Sequence, residues 1–132
     1  MDIETALLDF LRTAPALDGF HFGTRRPPVL ADRMPFVQLT RTGGVPSLPT
    51  WRNGPVIERF GMSALVWAGP DPIDARQACA AVLAQLYTLR STVLDGITVV
   101  RTAPLSGVVP IPDPDAPEGV HRATGAVLIT AR

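Results

Sequence analysis

The sequence predicts an α+β domain in which a mostly antiparallel β-sheet carries two helices packed on one face. Two stretches have apolar residues at helical spacing, and several others alternate between apolar and polar residues as strands do. The strands are grouped around one central helix, which is typical of the α+β class. The chain has 132 residues, of which 46% are hydrophobic. With no internal repeat and no boundary in composition, residues 1–132 are expected to form a single domain.

The two helices are predicted at residues 2–14 and from residue 71 to about 89. In the first, Ile3, Leu7 and Leu11 recur at helical spacing, and Pro15 ends the helix. In the second, Asp71 suits the N-cap and Pro72 suits the first helical position. The apolar stripe of the second helix consists of Ala75, Ala78, Cys79, Val82, Leu83, Leu86 and Leu89.

Alternating patterns predict strands at residues 20–22, from 35 onward, and at 56–68, 97–102 and 120–131. The strand at 56–68 is the longest of these and would run about 43 Å at the usual rise per residue. A domain of this size has a radius of gyration near ~14 Å. We therefore expect this strand to bend or to overhang the core, with Gly61 as the bend or bulge.

Two long loops are predicted, at residues 43–55 and 110–119. The chain contains 14 Pro and 11 Gly, spread along it without a repeat, so these residues indicate turns and loops. The first loop holds two adjacent Gly, three Pro and an Asn-Gly pair. It is therefore expected to be too rich in chain breakers for a helix or an interior strand.

Composition excludes several functional classes. Twelve basic and twelve acidic side chains give zero net charge, without the basic excess that nucleic-acid binding requires, so no sequence-specific nucleic-acid binding is expected. The basic residues are all Arg, and Schiff-base or P-loop chemistry needs a lysine. The single cysteine, Cys79, can form neither an internal disulfide nor a CxxC zinc site. The apolar runs are shorter than the ~20 residues of a membrane span, so no membrane association is expected.

No constellation of catalytic residues is recognisable in the sequence. His21 and His121 lie in strands, away from carboxylates in any known motif. Asp113, Asp115 and Glu118 are spaced so that they could surround a hard cation, but the intervening prolines and the missing central glycine favour a solvated acidic loop. We therefore expect no enzyme activity, no cofactor and no metal site.

The two tryptophans differ in context. Trp51 lies in the middle of the first predicted loop, where a tryptophan either folds back onto the core or anchors a partner. Trp67 lies in a predicted strand and is expected to belong to the core.

The order of the elements is more specific than any one of them. It comprises an N-terminal helix at 1–14, the segment Pro-Phe-Val-Gln-Leu-Thr-Arg-Thr-Gly-Gly at 35–44, a strand ending Ala-Leu-Val-Trp-Ala at 64–68, an Ala-rich helix at 75–89, and the ending from Pro-Asp-Pro at 112–114 through Val-Leu-Ile at 127–129. In this order the elements resemble the tail terminator proteins, the minor tail family of long-tailed bacteriophages. The resemblance covers nearly the whole chain.

The resemblance implies a structural role in the virion. Such proteins form a hexameric ring on the last ring of tail-tube subunits, end the growth of the tube, and provide the surface that joins the head. The implied partners are further copies of this chain as a homohexamer, the tail-tube protein and a head-completion or neck protein. The implied location is the head-proximal end of the virion tail, with the host cytoplasm during assembly. No catalytic residue carries over from the family.

A ring needs two different contact surfaces on each subunit. The edges of long strands can pair between subunits, and long loops can order on contact with a partner. From loop position and residue type, Arg41, Trp51, Arg52 and Arg59 are predicted to lie near such an interface.

Two alternatives remain open at this point. One is another phage morphogenesis protein, such as a head-closure or neck component, which gene order would separate from a terminator. The other is a small enzyme or ligand-binding domain that uses His21, His121 or the loop around Asp113. Metal in the purified protein, or a pocket that holds a histidine beside a carboxylate, would favour the second alternative.

Overall fold

A computed structural model describes residues 3–25, 34–48 and 57–132 of the chain. These residues form two α-helices, a short 3-10 turn at Pro15–Leu17 and one six-stranded sheet. The helices are α1 (Ile3–Thr13) and α2 (Pro72–Tyr87). The strands are β1 (His21–Gly23), β2 (Phe36–Leu48), β3 (Ile57–Ala68), β4 (Thr92–Leu94), β5 (Ile97–Pro110) and β6 (His121–Ala131).

The strand order across the sheet is β1-β2-β3-β6-β5-β4. All neighbouring pairs are antiparallel except β1 and β2, which are parallel. The predicted α+β class with a mostly antiparallel sheet is therefore confirmed.

Both helices contribute to one hydrophobic core on the same face of the sheet. The inward positions of β3 alternate strictly, so that Phe60, Met62 and Val66 are all buried against it. Gly125 on β6 provides room for α2, because a Cβ there would lie 2.6 Å from Leu83 Cδ1. The opposite face of the sheet carries Arg59, Ser63, Leu65 and Trp67 from β3 and is not covered by either helix; we call it the open face.

Local sequence signals set the ends of α2 and the turn that follows it. The N–H of Asp71 donates to Asp74 Oδ2 at 3.0 Å, and Pro72 occupies the first helical position. Between β4 and β5, Asp95 and Gly96 have φ angles of 54° and 84°, the left-handed backbone that a two-residue hairpin turn requires. The predicted helix start and the predicted turn are both confirmed.

The loop predicted at residues 43–55 is wrong in its first half. Strand β2 continues to Leu48, paired with β3, and register shifts at Thr42/Gly44 and Pro46/Leu48 absorb the extra residues. Within the part of the chain that the structure describes, β1 pairs only with residues 36–38, so the rest of β2 is an edge strand. Glycine and proline are tolerated there because an edge strand needs hydrogen bonds on one side only.

The predicted position of the bulge in the long central strand needs correction. Strand β3 pairs with β2 on one side and keeps an unbroken register with β6 from Glu58 to Ala68 on the other. The bulge lies on β2, opposite Gly61, and not in β3. Gly61 is required for space, since a Cβ at this position would meet Thr42 Oγ1.

Candidate interaction surface

Both sides of the sheet end in a partly unpaired edge. Among the described residues, residues 39–48 of β2 lie beyond β1 on one side of the sheet. On the other side, residues 100–110 of β5 lie beyond β4, which pairs there only with residues 97–99. Two large apolar side chains on this stretch of β5 are half exposed, Leu105 at 52% and Val109 at 50%.

The β5 edge is irregular along most of its length. It shows three register shifts against β6 and contains Pro104 and Pro110, which lack a backbone donor. Bulges and prolines are the features by which edge strands avoid uncontrolled pairing with other chains. This edge therefore offers exposed side chains to a partner in place of a regular backbone ladder.

Arg41, one of the predicted interface residues, is held within its own domain. Its Nη2 lies 2.7 Å from Glu58 Oε2, and its guanidinium carbon lies 4.3 Å from the centre of the Phe60 ring. Its backbone N–H also donates to Glu4 Oε1 at 3.3 Å. These contacts join β2, β3 and α1, so Arg41 has a structural role on the helix-covered face.

Arg59 lies on the other side of the sheet from Arg41. It follows the opposite alternation on β3, faces outward on the open face and is exposed. Its side chain makes no hydrogen bond or ion pair with any other residue in the described ranges. Trp51 and Arg52 lie outside the described residues, so of the four predicted interface residues only Arg59 is placed on an open surface.

The structure brings two further arginines beside Arg59. Arg59 on β3 and Arg101 on β5 are both register partners of Thr130 on β6, which places the two arginines on one row of the open face, about 10 Å apart. Arg132 lies two positions after Thr130, on the same side, and its backbone pairs with Thr98. We call Arg59, Arg101 and Arg132 the basic patch.

Sequence reasoning missed Arg101 and Arg132. Both are exposed and, like Arg59, form no side-chain ion pair with other described residues. Simple alternation from the buried Val99 would place Arg101 on the core face, and it is the register shift between Val99 and Arg101 that brings Arg101 into register with Thr130 on the open face. Their closeness to Arg59 depends on the order β3-β6-β5, which the sequence alone does not give.

The second loop, residues 111–120, is docked against the open face. The indole Nε1 of Trp67 donates to Asp113 Oδ2 at 2.9 Å. Arg122 donates from Nε to the Ile111 carbonyl at 3.3 Å and from Nη2 to the Pro112 carbonyl at 2.8 Å. The expectation of a solvated acidic loop that orders only on assembly is therefore wrong for Asp113, which fastens the loop to its own domain.

Trp67 is buried, with 2% of its surface exposed, but it does not belong to the main core. Together with Phe36 it forms a separate small cluster on the open face, with Leu65 and Val120 packed against it. The sequence prediction that Trp67 is a core residue is confirmed by its burial, although the cluster it belongs to is separate from the main core.

Of the residues named for the enzyme alternative, the structure brings His121 and Asp113 to one cavity and places His21 elsewhere. His21 and His121 lie on strands three spacings apart, about 14 Å. His121 does line a 280 Å³ cavity together with Asp113, but Asp113 accepts the Trp67 indole N–H, and His121 Nε2 lies 3.1 Å from the Pro70 carbonyl. Asp113 thus joins the loop to Trp67, whereas His121 contacts the turn between β3 and α2.

Two other features bear on chemistry. Burial raises the pKa of the Cys79 thiol from 9.0 to about 11, which disfavours the reactive thiolate. In the described parts of the chain, no three or more His, Cys, Asp or Glu side chains are grouped so that they could hold a metal ion. None of the helices seen there has the length and apolarity that crossing a membrane requires.

Comparison with known proteins identifies a shared fold. No protein-family model matches the chain, and no curated protein matches it either. Among solved structures, that of the bacteriophage SPP1 gp17 protein is similar, with a TM-score of 0.56 and 22% sequence identity. The alignment covers 97% of this chain and 87% of that one, so the likeness extends over essentially the whole domain. At this level of identity it concerns the fold.

Proposed function

We propose that this chain is a structural phage morphogenesis protein that forms a ring on the tail tube, ends tube polymerisation and joins the tail to the head. The observation that carries the proposal is the fold shared with the bacteriophage SPP1 gp17 protein over 97% of the chain. The order of sequence motifs, which resembles the tail terminator proteins, points in the same direction. The proposed partners are further copies in a homohexamer, the tail-tube protein and a head-completion or neck protein, at the head-proximal end of the tail.

The geometry of the domain is compatible with a ring. A closed ring larger than a dimer needs a head-to-tail contact between two different surfaces of each subunit. Among the described residues, parts of β2 on one side of the sheet and of β5 on the other have no outer partner strand, and β5 carries exposed apolar side chains. The open face between them carries the basic patch at one end and the docked loop at the other.

The test is to add the purified protein to polymerising tail-tube subunits and to measure tube lengths by electron microscopy. We expect tubes to become shorter as the ratio of this protein to tube subunit rises, with extra density at one tube end. The same protein, unfolded by heat before addition, is the control. An unchanged length distribution, together with binding to the portal side of the head, would instead identify a head-closure or neck component.

A further inference from the structure

We infer that the basic patch is the docking site for the acidic tip of loop 111–120, Asp115 and Glu118, on a second copy of this chain. This inference rests on the proposed ring and names one of its subunit contacts. It commits to a second copy as the occupant because the complementary charges are both present on this chain, at opposite ends of the same sheet.

The basic patch consists of three guanidinium groups that have no side-chain ion-pair partner among the described residues. Arg59, Arg101 and Arg132 are exposed on the open face and form no ion pair with the other described residues. The carboxylate nearest to Arg59 in sequence, that of Glu58, faces the other side of the sheet and is paired with Arg41. Three like charges on adjacent rows repel one another, so an anionic partner here relieves repulsion as well as adding attraction.

The acidic tip is presented by a stiff, anchored loop. Asp113 is fastened to Trp67, and the backbone N–H of Asp115 donates to Asp113 Oδ1 at 3.0 Å. The side chains of Asp115 and Glu118 are exposed beyond this anchor. Prolines at 112, 114 and 117 limit the conformations of the loop, so little conformational entropy is lost when its tip meets a partner.

The two surfaces cannot meet within one molecule. The loop precedes β6 at His121, whereas the basic patch surrounds Thr130 near the other end of that strand, about 30 Å away at the usual rise per residue. The contact is therefore between copies. Because it joins two different surfaces, it is head-to-tail, and such contacts generate rings when the rotation closes.

A charge-swap experiment tests the inference. One variant carries Arg59→Glu and Arg101→Glu, and the other carries Asp115→Arg and Glu118→Arg. Sedimentation velocity at low ionic strength measures self-association of each alone and of an equimolar mixture, with and without tail-tube ends present. We expect each variant alone to need at least tenfold more protein to associate than the wild type, and the mixture to regain association.

The mixture is informative because the reversed patch of one variant is complementary in charge to the reversed loop of the other. Arg76→Glu and Asp18→Arg change exposed charges elsewhere and serve as matched controls, which should associate like the wild type. Circular dichroism checks folding; if a reversed variant unfolds, Arg59→Gln with Arg101→Gln replaces it and should weaken association in the same direction.

Several outcomes would overturn the inference. These are a wild type that stays monomeric under all these conditions, a mixture that associates no better than its components, or unchanged self-association of the variants. Salt-sensitive binding of a labelled DNA duplex that is lost with Arg59→Glu and Arg101→Glu, while self-association persists, would assign the patch to nucleic acid. A failure of tube capping with successful charge-swap rescue would refute the proposed function and leave this contact standing.

Discussion

At the scale of single residues, Trp67 and Asp113 show how an outward-facing side chain becomes buried. The indole ring lies on the open face, and the loop that follows β5 closes over it through the 2.9 Å hydrogen bond to Asp113. Arg122 adds a cation–π contact, with its guanidinium carbon 5.9 Å from the centre of the ring. A buried indole N–H needs such an acceptor, so this pair fixes the position of the loop.

Replacing Asp113 by Ala tests this role. The substitution leaves the Trp67 indole N–H without its acceptor, and we expect the free energy of unfolding to fall by about 1–3 kcal/mol. Urea denaturation measures the change, and Glu118→Ala, at an exposed position of the same loop, should change it by less than ~0.5 kcal/mol. Equal effects of the two substitutions would mean that the hydrogen bond contributes nothing to stability.

At the scale of elements, the loop depends on backbone contact with the turn between β3 and α2. A Cβ at Gly69 would run into the carbonyl oxygen of Gly119, which is backbone and cannot turn aside as a flexible side chain can. The absence of a side chain at Gly69 therefore allows the turn between β3 and α2 to lie directly against the end of the loop at Gly119.

We expect Gly69→Ala to destabilise the protein by about 1–3 kcal/mol, because the added methyl group displaces the loop. Thermal and urea unfolding measure the loss, and the fluorescence of Trp67 should report a more solvated indole. Gly107 is the matched control: a Cβ there has no neighbour within 4 Å, so Gly107→Ala should be close to neutral. The prediction is wrong if the two alanine variants unfold alike.

At the scale of the whole molecule, assembly is expected to depend on groups that contribute little to the folded monomer. Arg59 is exposed and unpaired among the described residues, whereas Arg41 is tied to Glu58 and Phe60. The two predicted interface arginines therefore differ in their contacts within the domain, and the place of each at an interface stays a prediction. Trp51 remains a predicted anchor, from its residue type and its place in the sequence.

Substitution Trp51→Ala should leave the circular dichroism spectrum unchanged and weaken ring formation, because aromatic anchors dominate interface energetics. Sedimentation velocity and electron microscopy of capped tubes measure the loss. Trp51→Phe keeps an aromatic ring and should retain most of the association. If the alanine variant assembles at the same protein concentration as the wild type, Trp51 is not an interface residue.

Elements whose signals are local can be predicted from the amino-acid sequence. The two helices, the Asp-Gly turn, the loop before β6 and the α+β class follow from apolar spacing, caps and turn residues, which act over a few positions. Arg59 was predicted to lie near an interface from loop position and residue type, and that role stays a prediction.

The way in which those elements pack together could not be predicted from local signals. The strand order β3-β6-β5 places Arg101 and Arg132 beside Arg59. Pairing with β3 extends β2 through Gly43 and Pro46, because a partner strand supplies hydrogen bonds that local propensity does not anticipate. The tertiary structure also turns a loop with three acidic residues into a docked segment by placing Trp67 beneath it. Pairing between distant strands depends on the whole chain, and the candidate interaction surface is built from such pairings.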